Sequence, residues 1–271
     1  MKKVFILAGV LVLTAALALP VFAGPKKDSA GGAQVLKVGA TPVPHAELLN
    51  LVKSDLAAQG IDLQVVEFTD YVTPNLSLDA GDLDANFFQH VPYLESFSAE
   101  RKLDLVSVFG VHVEPLGLYS RSLKNISELQ NGASVAIPDD PTNRGRALLL
   151  LQANGIITLA PSAGIEGTLA DIRSNPKNLR FHELEAPQLP RALGDVDAAV
   201  INGNYALDAG LNPVSDSLIL EGAQSPYVNI VVVKRGNEQD PRILALAAAL
   251  RSQKVKDYIL ANYNGGVVPA F

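Results

Sequence analysis

The chain has 271 residues, 48% of them apolar and 18% charged, the composition of a globular protein long enough for one large core or two smaller ones. A formal net charge of −6 with no basic cluster excludes a surface built to neutralise nucleic-acid phosphates. There is no cysteine, which removes disulfides, thiolate metal sites, cysteine nucleophiles and thioether lipid anchors together.

Residues 1–23 read as a cleaved secretory signal. Lys2 and Lys3 precede an apolar run from Val4 to Leu19, and Val21 and Ala23 supply the small residues three before and one before a cut after Ala23. Residues 24–34 read as a polar, flexible leader. Met1 is the only methionine, so the processed chain would contain no sulfur, which chance or resistance to oxidation explains as readily as sparing of sulfur.

Strand and helix patterns then alternate, which predicts an α/β architecture. Val35–Ala40 is a short apolar strand, and His45–Gln59 has helical spacing stopped by Gly60. Ile61–Phe68 alternates as a strand, Pro74–Ala80 is a short helix, Asp84–Gln89 a strand and Pro92–Arg101 a helix. Leu105–Ser120 is one long β-rich segment. A second series follows: strand Ser134–Pro138, apolar helix Asn143–Ala153, strand Leu179–Leu184, short helix Leu189–Leu193, strand Asp197–Ile201, helical turn Tyr205–Ala209 and strand Tyr227–Lys234. Pro241–Tyr263 reads as one long helix with Leu244, Leu246, Leu250, Val255, Ile259 and Leu260 on its apolar face. Two series suggest two lobes, with crossings at Leu118–Arg121 and before Tyr227.

Enzyme signatures are thin. There is no Gly-x-Ser-x-Gly elbow, phosphate-binding loop or His-Glu-x-x-His motif, and His45, His90, His112 and His182 are far apart with no ligand pair at helical spacing. Three segments place recognition groups at strand-to-helix junctions, where α/β folds bind ligands. Asn86–Tyr93 offers aromatic rings, amides and an imidazole, with alternation sending Phe87 and Phe88 to opposite faces; ordinary aromatic core is the competing reading. Pro138–Arg146 feeds an apolar helix whose first turn carries Arg144 and Arg146, suited to a carboxylate or to a salt bridge with Asp139 or Asp140. Ile201–Tyr205 sets Asn202 and Asn204 around Gly203, as amide ligands or as turn formers. Together they describe a site for a zwitterion with an apolar tail.

At these segments the chain resembles the NlpA/MetQ lipoprotein family, the methionine-binding receptors of ABC importers. The blocks that carry the resemblance include Val66–Tyr71, Asp84–His90, Val113–Ser120, Ala136–Leu151, Gln188–Leu193, Ala198–Tyr205 and Ser225–Asn229. The resemblance implies a two-lobed, type II-like periplasmic-binding fold with two crossings and the ligand in the interlobe cleft. Residues 35–118 with 230–271 would form one lobe and 119–229 the other. It implies a non-enzymatic receptor, a monomer without cofactor or metal. That receptor would capture methionine, L-methionine foremost, and deliver it to an importer permease and its ATPase. The alternative is the same fold with another amino acid, a short peptide or a sulfur-containing analogue. Arg146 matches the residue that holds the amino-acid carboxylate, and Asn204 and Asn229 match asparagines at the amino-acid end. Tyr71, Phe88, His90 and Tyr93 match the side-chain pocket, where a thioether would meet aromatic rings. Because Val21–Gly24 lacks the lipobox cysteine common in the family, the sequence predicts a freely diffusing periplasmic protein.

Overall fold

The computed structural model describes residues 33–222 and 225–271; the signal sequence and nearly all of the leader expected from the sequence lie outside them. The first half runs β1 (Gln34–Ala40), α1 (Glu47–Ala57), β2 (Ile61–Glu67), α2 (Thr73–Ala80), β3 (Ala85–His90), α3 (Val91–Arg101) and β4 (Leu105–Val113). Next come β5 (Gly117–Tyr119), β6 (Ser134–Pro138), α4 (Pro141–Ala153), β7 (Thr158–Leu159), β8 (Ile172–Ser174), β9 (Arg180–Leu184), α5 (Leu189–Ala192), β10 (Ala198–Ile201), α6 (Gly203–Asp208), α7 (Pro213–Asp216) and β11 (Ser217–Leu220). The chain ends with β12 (Val228–Lys234), α8 (Pro241–Leu250), α9 (Gln253–Asn262) and β13 (Val268–Pro269).

The strands form two main sheets, one of six strands in the order β13-β4-β12-β3-β1-β2 and one of five in the order β11-β5-β10-β6-β9. In the first, β1 runs parallel to β2 and β3, while β12 pairs antiparallel with both β3 and β4. In the second, β6 runs parallel to β9 and β10, and β5 is antiparallel to β10 and β11. The chain passes between the sheets at Glu114–Leu116 and again between β11 and β12. Leu105–Ser120 is therefore two strands in two sheets. Pro115 has no N–H to give a ladder, and the strand breaks there.

Each sheet has its own core. Leu36, Val38, Phe87 and Val231 pack with Leu48 and Val52 of α1, Leu246 of α8 and Ile259 of α9. The last two helices thus return to the first sheet. On the second sheet, Val135, Ile137 and Val200 pack under Leu148 and Leu151 of α4. Among the described residues no helix is long and apolar enough to cross a membrane.

The C-terminal segment corrects the sequence reading. The helix stops at Leu250 and restarts at Gln253, with the Ser252 side chain accepting from the Val255 N–H at 3.4 Å. Serine competes for backbone groups in a helix interior and favours a cap, so the phase resets there. Leu246, Leu250, Val255 and Ile259 are buried, but Leu244 and Leu260 face solvent.

Gly145 in α4 is required by a close approach. A Cβ there would lie 2.1 Å from the Ile165 carbonyl oxygen, in the turn that covers the helix. Gly145→Ala must push that backbone away, and an overpacking cost of about 1–3 kcal/mol is expected as a lower urea midpoint. An unchanged midpoint would show that the turn yields freely.

Candidate functional site

A small cavity lies between the two sheets, lined from β3 and α3 on one side and from α4 and the start of α6 on the other. One wall comes from the first sheet. The six residues of β3 are all buried, and alternation sends Phe87 into the core against His45 while Phe88 lines the cavity. A buried amide network fixes this strand: Asn86 and Gln89 both donate to Asn75 Oδ1 of α2, at 2.8 and 2.7 Å. His90 closes β3 and caps α3, its Nδ1 accepting from the Tyr93 N–H at 3.2 Å. Tyr71 lies with ring centroids 5.9 Å from Phe88, 5.8 Å from Tyr93 and 5.0 Å from Tyr205. These separations are those of packed aromatic pairs. Burial pushes the Tyr71 and Tyr93 hydroxyls up, which keeps them neutral donors.

The polar wall comes largely from the second sheet and the passages between sheets. Asp140 caps α4, accepting from the Asn143 backbone N–H at 2.9 Å and from its side-chain Nδ2. The helix begins at Pro141, so Arg146 sits beyond the first turn, and the helix end expected to greet a carboxylate is already filled by Asp140. Asn143 Nδ2 faces that carboxylate, so its Oδ1 must point the other way. There it accepts from His90 Nε2 at 3.2 Å and from Asn202 Nδ2 at 2.9 Å. Asn202 Oδ1 is then a buried acceptor with no hydrogen-bond partner among the described residues. It lines the cavity and suits a ligand donor such as an ammonium.

Arg146 is buried beside Glu221, to which its Nε donates at 3.0 Å, and its guanidinium lies 4.2 Å from the Tyr227 ring. The expected alternative partners, Asp139 and Asp140, are not its ion-pair partners; Arg144 instead pairs with Glu183 at 3.2 Å. Glu114 also lines the cavity. Gly203 permits its approach, since a Cβ on that glycine would come within 2.8 Å of the Glu114 Cβ. Burial raises the Glu114 carboxyl, opposed by His45, Arg146 and the Asn204 backbone N–H.

Two imidazoles carry Glu114 from behind. His112 Nε2 and His45 Nε2 lie 2.6 and 3.2 Å from Glu114 Oε1. Strand register explains the assembly, because Asn229 of β12 sits opposite both His90 of β3 and His112 of β4. His45 Nδ1 accepts from the Thr41 hydroxyl at 2.8 Å, so its Nε2–H points at Glu114 and at Asn229 Oδ1, 3.1 Å away. His45, His112 and Glu114 are ligand types gathered within 4.8 Å. Two atoms 2.6 Å apart form a hydrogen bond, however, whereas ligands of tetrahedral zinc stand roughly 3.3 Å apart. The cluster fits a carboxylate cradle and not a metal cage.

Six of the seven site residues expected from the sequence line the cavity: Tyr71, Phe88, His90, Tyr93, Arg146 and Asn229. Asn204 is one layer out, accepting from the Tyr71 hydroxyl at 2.5 Å. The sequence reading offered Asn202 as an amide ligand, which the cavity lining matches, but missed Glu114 and Asn143 as lining residues and Glu221 as the partner of Arg146. A lone acid inside the apolar stretch Leu105–Tyr119 was the available signal for Glu114.

Burial lowers His45 to about 4 and His112 and His90 to about 3. The unfolded chain takes up these protons below about pH 6.5, while the fold excludes them until pH 3–4. Their contribution is complete above pH 6.5 and is lost as pH falls, while the raised carboxyls of Glu114 and Asp140 act in the opposite sense. His112→Gln, which keeps a donor but does not titrate, should flatten the fall in unfolding free energy between pH 6.5 and 4 by about 1.4 kcal/mol per pH unit. Urea titrations across that range measure it, and parallel curves would remove His112 from the account.

The family model described as NlpA lipoprotein matches residues 36–271. The membrane lipoprotein TpN32 of Treponema pallidum is 46% identical over 238 residues, covering 88% of this chain and 89% of its own. The D-methionine-binding lipoprotein MetQ of Escherichia coli K12 is 44% identical over 225 residues, covering 82% of each chain. A nutrient-binding protein from Burkholderia cenocepacia, solved bound to methionine, superposes with a TM-score of 0.84 at 44% identity, covering 87% of this chain and 100% of that one. The two-lobed substrate-binding fold expected from the sequence is thereby borne out. The freely diffusing periplasmic protein is not: the family is one of lipoproteins, the MetQ relative is named a lipoprotein and TpN32 a membrane lipoprotein. Lacking a cysteine excludes a thioether at that residue; it does not establish free diffusion. The chain belongs to the NlpA lipoprotein family.

Proposed function

We propose that the chain is an extracytoplasmic substrate-binding protein, not an enzyme, that captures methionine for an ABC importer. The observation that carries this reading is one cavity holding a buried cation, Arg146, and a buried anion, Glu114, against an aromatic wall. A zwitterion with an apolar, polarisable tail satisfies all three features. The α-carboxylate goes to Arg146 and the amide of Asn229, whose Oδ1 is already engaged by His45. The ammonium goes to Glu114 and the unpartnered Asn202 Oδ1. The thioether lies among Tyr71, Phe88, His90 and Tyr93. Asn204 supports this wall by holding the Tyr71 hydroxyl.

The geometry also supports a closing motion of two lobes, built on the six-stranded and five-stranded sheets and divided at the two passages. Tyr71 to Asn204, His90 to Asn143 and Tyr205 to the Thr69 carbonyl are hydrogen bonds that join the two sides around the cavity. The receptor acts as a monomer and hands its ligand to a membrane permease with its ATPase.

Isothermal titration of refolded, ligand-stripped protein with L-methionine tests the reading, with one-to-one saturable binding at micromolar affinity or tighter expected. D-methionine in competition assigns the stereochemistry. Arg146→Ala and Asn229→Ala should each weaken binding by about tenfold. No heat from folded, empty protein would remove methionine, and mass spectrometry of the unstripped protein would then identify what it carries.

A further inference from the structure

Arg146 is committed before any ligand arrives. Its Nε donates to Glu221 Oε1 at 3.0 Å, and its Nη2 donates both to Glu221 Oε2 and, at 2.9 Å, to the Glu114 backbone carbonyl. Glu221 is itself held by the first passage between the sheets. Leu116 N–H donates to its Oε2 at 3.3 Å, and its own N–H donates to the Leu116 carbonyl at 2.8 Å. The Tyr227 ring packs on the guanidinium from the second passage.

A guanidinium has five N–H donors in a rigid fork. Three are used here, on Nε and Nη2, leaving the pair on Nη1, the nitrogen without a hydrogen bond among the described residues. A ligand carboxylate therefore cannot take the two-pronged grip that makes Arg a strong carboxylate binder. The charge has also been answered. Arg146 is paired with Glu221, which leaves Glu114 as the lining acid with no guanidinium or ammonium of its own, its close partners being the imidazoles of His45 and His112.

We propose that Glu221 is a specificity-determining positioning residue: by clamping and neutralising Arg146, it makes the site select its ligand by the ammonium more than by the carboxylate. The inference rests on the amino-acid reading above and deepens it. The favoured ligand class is a primary amine carrying a short apolar tail, with the carboxylate as a secondary determinant.

Two analogues separate the charged ends without adding bulk. 3-(Methylthio)propylamine keeps the ammonium and lacks the carboxylate; 4-(methylthio)butanoate keeps the carboxylate and lacks the ammonium. Each is competed against labelled L-methionine on the wild type and on Glu221→Gln, whose amide keeps the shape and loses the charge. The wild type should bind the amine at least about tenfold more tightly than the acid, and Glu221→Gln should shrink that ratio by about tenfold or reverse it. Glu221→Asp, which keeps the charge but cannot span the same distance, should move the ratio in the same direction by less. An acid that competes as well as the amine on the wild type overturns the proposal, and that arm needs no variant to fold. So does a ratio that stays fixed in folded Glu221→Gln, or an amine that fails to compete. Folded wild type that does not bind labelled methionine defeats the methionine reading itself, and is told apart by failing before any analogue is added.

Discussion

The structure around the cavity depends on burying Arg146 without leaving its charge unanswered. An isolated ion in a protein interior costs several kcal/mol, and only close partners with satisfied hydrogen bonds offset that. Every neighbouring feature follows from this constraint. Glu221 comes to the guanidinium from the end of β11, the Glu114 carbonyl from the end of β4, and Tyr227 from the start of β12. The cation is therefore the point where both connections between the sheets are tied to α4. A residue proposed to hold the ligand is thus also the one that fixes how the halves meet.

The second buried charge, Glu114, is carried differently. Its supports are imidazoles kept neutral by burial, His45 aimed by its hydrogen bond with Thr41 and His112 placed by strand register. Neutral donors hold a carboxylate in place without cancelling its charge. The two acids at this junction therefore differ in kind: Glu221 is spent on Arg146, whereas Glu114 keeps an attraction for a cation. Gly203 belongs to the same arrangement, because any side chain there would displace Glu114.

Much of this was legible in the sequence where the signal is local. Ser134–Pro138 as a strand and Gly60 as a helix stop follow from alternation and from left-handed backbone, with φ of 78° at that glycine. The pocket aromatics were legible because β3 and α3 are consecutive, so His90 and Tyr93 stay neighbours once the junction forms. Periodicity failed at Ser252, where a short polar side chain outcompeted an apolar stripe that continued in sequence but not in space. Glu221 was illegible for a different reason. It meets Arg146 across 75 residues and a sheet pairing, and nothing in Leu220-Glu221-Gly222 marks it as a partner. The leader misled because one missing residue was read as evidence about location, a property that its lipoprotein relatives contradict.

A receptor that hands on its ligand has to bind tightly and still let go. Forming Arg146–Glu221 inside the protein serves both needs. The guanidinium is already desolvated and ordered, so binding does not repeat those costs. The gain from the ligand carboxylate is smaller in return, since the strong edge of the fork is occupied and its charge answered. Affinity then shifts toward Glu114, the aromatic wall and the hydrogen bonds that join the two sides. Those last contacts exist only while the sides are together. Opening the cleft would therefore release more of the binding energy than it would if Arg146 alone gripped the ligand from one side.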